Sequence, residues 1–468
     1  MKLQNTLTRT VNEISPLTGR QIKLYACGLT VYSQPHIGNW VAYIYWDVLV
    51  RSLRDEGYDV THVQNITDVG HLTSDEDAGE DKMLKGALKE GVTAWQVAEK
   101  YIAIADDEAY KQLNLTRPDH MPRATEYIPQ QIAFIEDLER KGFTYQIADG
   151  VYFDTSKLSD YGKLAKLDIE GLHFGARVAD TGKNNPTDFA VWKFSDPTEQ
   201  RDMEWESPWG VGFPGWHLEC SVMAREILGD QIDIHTGGID HIPVHHTNEI
   251  AQSEAVTEKP FSSYWLHCNH LQVDGTKISK SLGNGYTLGD ITAKGFDLEA
   301  FKLMVLSKHY RTEGNFTWEI LEASQNRLNG YRAMADHVWQ AHDAGTVSDK
   351  DIEKSLQDIK SSLHDDLSTP QALVALSKLE SAIDVGGISK HSQGAFKHLL
   401  AWVDGVLGLT LSNRQDITTE QRILIAERHE ARTAQDWKIA DQVRDQLLEQ
   451  GIHIKDTPVG QIWSRPKD

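Results

Sequence analysis

His245 and Glu249 stand four residues apart, the spacing that puts two side chains on one face of a helix. An imidazole and a carboxylate so placed suit two ligands of one metal ion, although an ordinary surface pair is the commoner reason for that spacing. Cys27, Cys220 and Cys268 could add thiolates, although spacing says nothing of their proximity to that helix. They are too few and too scattered for a disulfide framework and fit a reducing compartment, where an isolated cysteine packs a core or performs chemistry. A second chemistry is suggested by His36-Ile37-Gly38-Asn39. Between a strand end and a helix start, backbone N–H groups and the helix dipole favour a phosphate. Gly38 there permits close approach, and His36 and Asn39 add donors. About 240 residues later comes Lys277-Ile278-Ser279-Lys280-Ser281, followed by Leu282-Gly283-Asn284. Two lysines with interleaved serines on a glycine-flanked loop could stabilise charge on a leaving pyrophosphate. Each string alone also has a plain reading, as a helix cap or a solvated basic loop.

The elements needed to hold these residues are visible in the hydrophobic pattern. Residues 21–27 read as a strand ending at Gly28, and residues 40–54 place Val41, Ile44, Tyr45, Val48 and Leu49 at helical spacing. Gly57 closes that helix and residues 58–66 read as a second strand. Strand, helix, strand is a βαβ unit, which predicts a parallel sheet with ligands at the strand ends. The acidic stretch 73–81 reads as a solvated loop, and helical segments follow over 93–141. Residues 148–214 read as an inserted module of short strands and loops; a strand returns near 232–234 and a helix near His245. Beyond Phe296 the texture is helical, predicting a bundle, and two helices at 419–433 and 437–449 head a last unit.

With 468 residues, two to four domains are expected. Apolar content of 40% and charged content of 25% are those of a soluble globular protein. No apolar run approaches a membrane span and Met1 to Arg9 lack a signal region, so a cytoplasmic address is expected. A net charge of −22 argues against general nucleic-acid binding, yet leaves room for one RNA held along a local basic track by shape and stacking.

The two phosphate-type strings, in this order, resemble the HIGH and KMSKS motifs of class I aminoacyl-tRNA synthetases; Asn39 and Ile278 depart from the commoner residues. Three further strings narrow the resemblance. Leu24-Tyr25-Ala26-Cys27-Gly28-Leu29-Thr30-Val31-Tyr32, Pro214-Gly215-Trp216-His217-Leu218-Glu219-Cys220-Ser221 and His245-His246-Thr247-Asn248-Glu249 are similar to the cysteinyl-tRNA synthetase family. That resemblance implies an α/β fold: a Rossmann-like parallel-sheet catalytic domain with an inserted module, a helical bundle and a small anticodon-binding domain. The expected divisions are 1–115 and 215–260 for the catalytic domain, 116–214 for the insertion and 261–318 for a linking region carrying the KISKS loop. The bundle is expected at 319–412 and the anticodon unit at 413–468. The family implies one Zn2+ on Cys27, Cys220, His245 and Glu249, and Mg2+ with ATP. His36, Lys277 and Lys280 would stabilise the transition state, with Gly38, Asn39, Asp240 and Ser279 also on ATP. Gly28, Thr67, Trp216 and His235 would line the amino-acid site, His235 near the reacting carboxylate. Thr236 and the string His241-Ile242-Pro243-Val244 depart from the family pattern, which leaves His235 and Asp240 an equal reading as satisfied polar residues at a sheet edge. Cys268 matches no ligand position and reads as packing.

The physics suits such a metal. A plain pocket separates close analogues by only ~1–3 kcal/mol, whereas zinc prefers a thiolate to a hydroxyl. Asp365-Asp366-Leu367-Ser368-Thr369-Pro370 resembles a string of the family's bundle, for which helix capping is sufficient reason. The tail resembles the family's anticodon unit, with Arg432, Trp437, Asp441, Asp456 and Trp463 as candidates for stacking and reading bases. Packing of a small core is the other reading of its tryptophans. The implied partners are L-cysteine, ATP and tRNA-Cys, with no membrane and a monomeric chain. Two alternatives stay open at this level: a ligase delivering the same cysteinyl-adenylate to a sugar amine, as in mycothiol synthesis, and an RNA-binding paralogue without catalysis. The tail, which the first has no use for, argues against it, and the intact ligand set with both loop lysines argues against the second.

Overall fold

The structure is a computed structural model and describes residues 1–70, 82–166, 182–196, 198, 201–279, 282–457 and 460–465. Lys280, and the loop expected at 73–81, lie outside the described residues. At the centre are four parallel strands: β1 (Gln21–Ala26), β2 (Asp59–Gln64), β3 (Ile232–Gly238) and β4 (Ser262–Cys268), in the spatial order β4-β3-β1-β2. Tyr25 lies in register with His235 and Ala26 with Thr236. Helix α1 (Ile37–Asp55) crosses from β1 to β2, closing the expected βαβ unit. β1 has β2 on one side and β3 on the other, so the chain leaves it in opposite directions. Doubly wound sheets open their ligand crevice at such a point, beyond the carboxyl ends of the strands.

Val41, Ile44, Tyr45, Val48 and Leu49 are all buried on α1, as their spacing predicts. Trp40, Trp46, Val50 and Leu53 are buried as well, because the helix has the sheet on one side and C-terminal helices on the other. One apolar cluster runs from Leu24 of β1 through Ile44 and Leu49 to Phe301, Leu328, Leu376 and Leu400 of the bundle. The central sheet and the bundle therefore share a core. The bundle comprises helices Leu298–Leu306, Trp318–Asp336, Asp349–His364, Thr369–Gly386 and Gln393–Leu407.

Between β2 and β3 lie helices Lys82–Glu90, Ala94–Asp107 and Ile128–Arg140, then an antiparallel four-stranded sheet of Thr144–Ile147, Gly150–Phe153, Phe189–Phe194 and Gly212–Pro214. α2 (Trp216–Leu228) leads back to β3, and α3 (His245–Thr257) joins β3 to β4. A small sheet then follows: β5 (Leu271–Val273), β6 (Thr276–Lys277) and β7 (Gly314–Phe316), with β5 in the middle. Two hairpins go beyond the sequence reading, Lys2–Asn5 with Thr10–Glu13 and His453–Thr457 with Gly460–Ser464. Among the described residues no helix is long and apolar enough to cross a membrane.

Candidate metal centre and active site

Cys27 is the first residue past β1, and its N–H donates to the Thr236 carbonyl of β3 at 3.1 Å, so the strand end is pinned where it leaves the sheet. Cys220 lies one turn into α2 on a face buried throughout. His245 opens α3 and Glu249 follows one turn later on the same side. These four residues are buried, and one donor atom from each lies within 4.8 Å of every other. Three distant segments thus bring two thiols, an imidazole and a carboxylate to one point beyond the ends of β1 and β3. The donor set fits a tetrahedral, thiol-tolerant ion.

Burial and mutual contact shift all four groups of the cluster. Burial pushes the Cys27 thiol well above its ordinary value. The Cys220 thiol is brought down to about 7, first by its hydrogen bond with Cys27 and also by His245, against burial. Burial alone would lower His245, but the Glu249 carboxylate beside it prevails and holds the imidazole near about 10. Glu249 is kept well below the usual carboxylate range in spite of burial, because His235 and His245 flank it. A divalent ion bound here would displace the protons that Cys27 and His245 hold.

Around the centre the structure places the expected wall residues. The Trp216 ring is 4.5 Å from that of His245, so it borders the ligand cluster. Asn65 accepts from the Gly28 N–H at 2.7 Å and donates to Thr67 Oγ1 at 3.0 Å, clamping two of the four expected substrate residues to one buried amide. His235 is fully buried, stacked on Trp265 at 4.6 Å, and its Nε2 is 2.6 Å from Glu249 Oε2. It stands behind Glu249, a candidate ligand, where it can orient the carboxylate. Asp240 is exposed on the turn Ile239–His241. Sequence reasoning passed over His217, His246 and His267. His217 Nδ1 is 2.9 Å from His245 Nδ1, and His246 Nε2 is 3.2 Å from Cys27 Sγ. Only the doubled histidine at 245–246 hinted at them.

The two phosphate-type strings meet. His36, in extended conformation, is the N-cap of α1, and its N–H donates to Asn39 Oδ1 at 2.9 Å. Asn39 therefore caps its own helix with that oxygen. Ile37 N–H donates to the Tyr286 carbonyl at 2.7 Å. A Cβ on Gly38 would lie 2.8 Å from Ile278 Cδ1, so the glycine lets the apolar residue of the lysine loop rest on the helix start. Asn284 shapes that loop by accepting from the Ser279 N–H at 2.9 Å and donating to the Lys277 carbonyl at 3.2 Å. Lys277 is exposed on β6. Tyr43 of α1 donates to the Cys27 carbonyl at 3.3 Å, joining this region to the metal centre.

Residues 13–326 match the model of the class I (C) tRNA synthetase catalytic domain, and residues 414–463 match the cysteinyl-tRNA ligase anticodon binding domain. A cysteine–tRNA ligase 1 of Burkholderia lata is 44% identical over 467 residues, covering 98% of this chain and 96% of that relative. The chain belongs to the cysteinyl-tRNA ligase family of class I aminoacyl-tRNA synthetases. A cysteine–tRNA ligase of Treponema denticola is 38% identical over 99% of both chains. The fold alone is shared with a Mycobacterium tuberculosis methionyl-tRNA synthetase, at 13% identity and a TM-score of 0.61 over 84% of this chain and 92% of that one.

The family's anticodon unit is built here from α4 (Thr419–Thr433), α5 (Trp437–Glu449) and the C-terminal hairpin. Trp437 is 56% exposed at the start of α5, with the Arg432 guanidinium 5.5 Å from its ring. Asp441 is exposed beside Arg444. Asp456 is paired with Arg428 at 2.9 Å and Arg432 at 3.3 Å. Trp463 takes the packing alternative: it is 4% exposed and packs with Ile417, Val443, Leu447 and Ile452. Its ring fills the unit's core, so no face is open to a base.

Proposed function

We propose that this chain attaches L-cysteine to tRNA-Cys in two steps, working as a cytoplasmic monomer with Mg-ATP and with zinc as the selector of the substrate thiol. The observation that carries the reading is the convergence of two thiols, an imidazole and a carboxylate beside Trp216, next to the joined HIGN and KISKS strings. Zinc, when bound, would supply a Lewis acid that takes a thiolate far more readily than a hydroxyl. Cys27, Cys220, His245 and Glu249 would hold it, and His235 and His217 would fix the orientation of Glu249 and His245.

Trp216, Gly28 and Thr67 would wall the amino acid, so that its carboxylate faces the α-phosphorus of ATP. Attack there forms cysteinyl-adenylate and releases pyrophosphate. His36, Gly38 and the helix start would take phosphate oxygens, with Asn39, Asp240 and Ser279 completing the nucleotide site. Lys277 and Lys280 would meet the charge developing on the leaving pyrophosphate. The terminal ribose hydroxyl of the tRNA then displaces AMP. No protein nucleophile is required; positioning and charge stabilisation suffice. Arg432, Trp437, Asp441 and Asp456 form the surface offered to the anticodon.

Cysteine-dependent ATP–pyrophosphate exchange, measured alongside zinc content, tests the reading. Exchange should follow zinc occupancy and should not be supported by serine. Equal activation of serine, or full exchange by zinc-free protein, would sink the selector role.

A further inference from the structure

The metal centre holds more donors than one tetrahedral ion uses. Cys27, His235, His246 and Glu249 also place four buried donor atoms within 4.8 Å of one another. This set shares Cys27 and Glu249 with the first. What differs is the closure: Cys220 and His245 in one, His235 of β3 and His246 of α3 in the other. Glu249 faces both, with Oε1 at 2.7 Å from His245 Nε2 and Oε2 at 2.6 Å from His235 Nε2. Cys27 does the same, since its sulfur also lies 3.2 Å from His246 Nε2.

His246 is braced as metal-binding histidines are. Its Nδ1 is 2.8 Å from His267 Nε2, and His267 Nδ1 is 2.7 Å from Thr6 Oγ1. Such a relay sets the ring's orientation and tautomer from behind. The backbone makes room for it: a Cβ on Gly237 would lie 2.6 Å from His246 Cε1.

We propose that one metal ion has two overlapping positions in this centre, with Cys27 and Glu249 as common ligands and His235 and His246 able to replace Cys220 and His245. The inference rests on the zinc reading above and adds to it a second coordination of one sulfur, two nitrogens and one oxygen. An ion that shifts this way frees Cys220 and His245 without leaving the protein. His245 is the ligand that Trp216 borders, so the vacated side is the one facing the proposed substrate wall. The second set is also less thiol-rich, and therefore less selective for soft ions.

Cobalt loading of the full-length chain tests this without reference to activity, because thiolate-to-cobalt absorption grows with the number of sulfur ligands. The native chain should bind one Co2+. Cys220→Ser should still bind one, with the charge-transfer absorption falling to about half. His245→Ala, a second route to the same state, should also keep its ion. Combining either change with His246→Ala should release it, with far-UV circular dichroism unchanged. Two folded but empty single variants would overturn the inference, as would a Cys220→Ser/His246→Ala chain that binds like Cys220→Ser. A native chain that binds no divalent ion would instead refute the zinc reading itself.

Discussion

At the residue scale, the site is assembled by buried polar groups that each serve two neighbours. Asn65 is the clearest case: 1% exposed, it holds the Gly28 N–H with its oxygen and the Thr67 hydroxyl with its nitrogen. Truncation to alanine takes that partner from the buried Thr67 hydroxyl, at ~1–3 kcal/mol, and from the part-buried Gly28 N–H. Asn65→Ala should therefore lower the melting temperature and raise the KM for cysteine in pyrophosphate exchange more than the KM for ATP. Equal effects on both substrates would mean that Asn65 supports the sheet rather than the amino-acid wall. Glu249 is the same device in charged form, each oxygen engaged by a different histidine. The i, i+4 spacing of His245 and Glu249 was legible in the sequence because a helix fixes it. The approach of Cys27 and Cys220 was not, since strand order and the packing of α2 decide it; there the family resemblance named the candidate ligands. The relay from His246 through His267 to Thr6 was beyond reach for the same reason, as it joins a helix, a strand and the N-terminal turn.

At the element scale, two tryptophans of the anticodon unit show what pattern alone leaves undecided. One opens a charged helix and the other sits in a short strand, and neither pattern says which ring is buried; tertiary packing decides it. Trp437 opens α5 facing solvent with Arg432 over its ring, whereas Trp463 is the largest side chain in a thin core. Trp437→Ala should leave melting and pyrophosphate exchange unchanged while lowering kcat/KM for tRNA charging about tenfold, the loss of one base stack of ~1–3 kcal/mol. Trp463→Ala should instead destabilise the unit by ~3–5 kcal/mol, seen as an early unfolding step. Were the two to behave alike, the assignment of faces would be wrong. The apolar stripe on α1 is the opposite case. Val41, Ile44, Tyr45, Val48 and Leu49 repeat at helical spacing and bury as that repeat demands. The hairpin of Lys2–Asn5 and Thr10–Glu13 has no such repeat; its second strand is exposed throughout, so no alternation marks it.

At the scale of the whole molecule, catalytic sheet, bundle and anticodon unit are joined by buried carboxylates. Asp47 of α1 accepts from Arg51 Nε at 2.8 and 2.9 Å and from the Thr116 N–H at 2.9 Å, with Lys302 Nζ at 3.6 Å. Lys302 in turn donates to the carbonyls of Leu113 and Gly408, and Arg51 to those of Asn114 and Gly405. Burial would raise the Asp47 carboxyl, but the two cations prevail and hold it below its ordinary value. Its contribution is thus present above the unfolded pKa of ~3.9 and lost as pH falls through the folded one. Asp47→Asn should cost ~3–5 kcal/mol near neutrality, and its deficit in denaturant melts should shrink below about pH 4. A deficit independent of pH would remove the charge from the account. The anticodon unit is tied on by Asp336, fully buried at the end of its bundle helix. It accepts from Arg414 Nε at 2.8 Å and from the Arg465 side chain at 2.9 Å and backbone at 2.8 Å. Gln340 adds two bonds of 2.8 Å to the Trp463 backbone. Removing residues 413–468 would therefore do more than delete an RNA-binding surface; it would take both guanidinium partners from Asp336 and uncover its surroundings. Such a truncation should lose ~3–5 kcal/mol of stability, and Asp336→Asn placed in it should restore part of that, because an amide carries no charge to desolvate. With the fold so repaired, cysteine-dependent pyrophosphate exchange should persist while tRNA charging falls steeply. Exchange lost together with charging in the repaired chain would mean that the unit governs the catalytic sheet and not only the RNA.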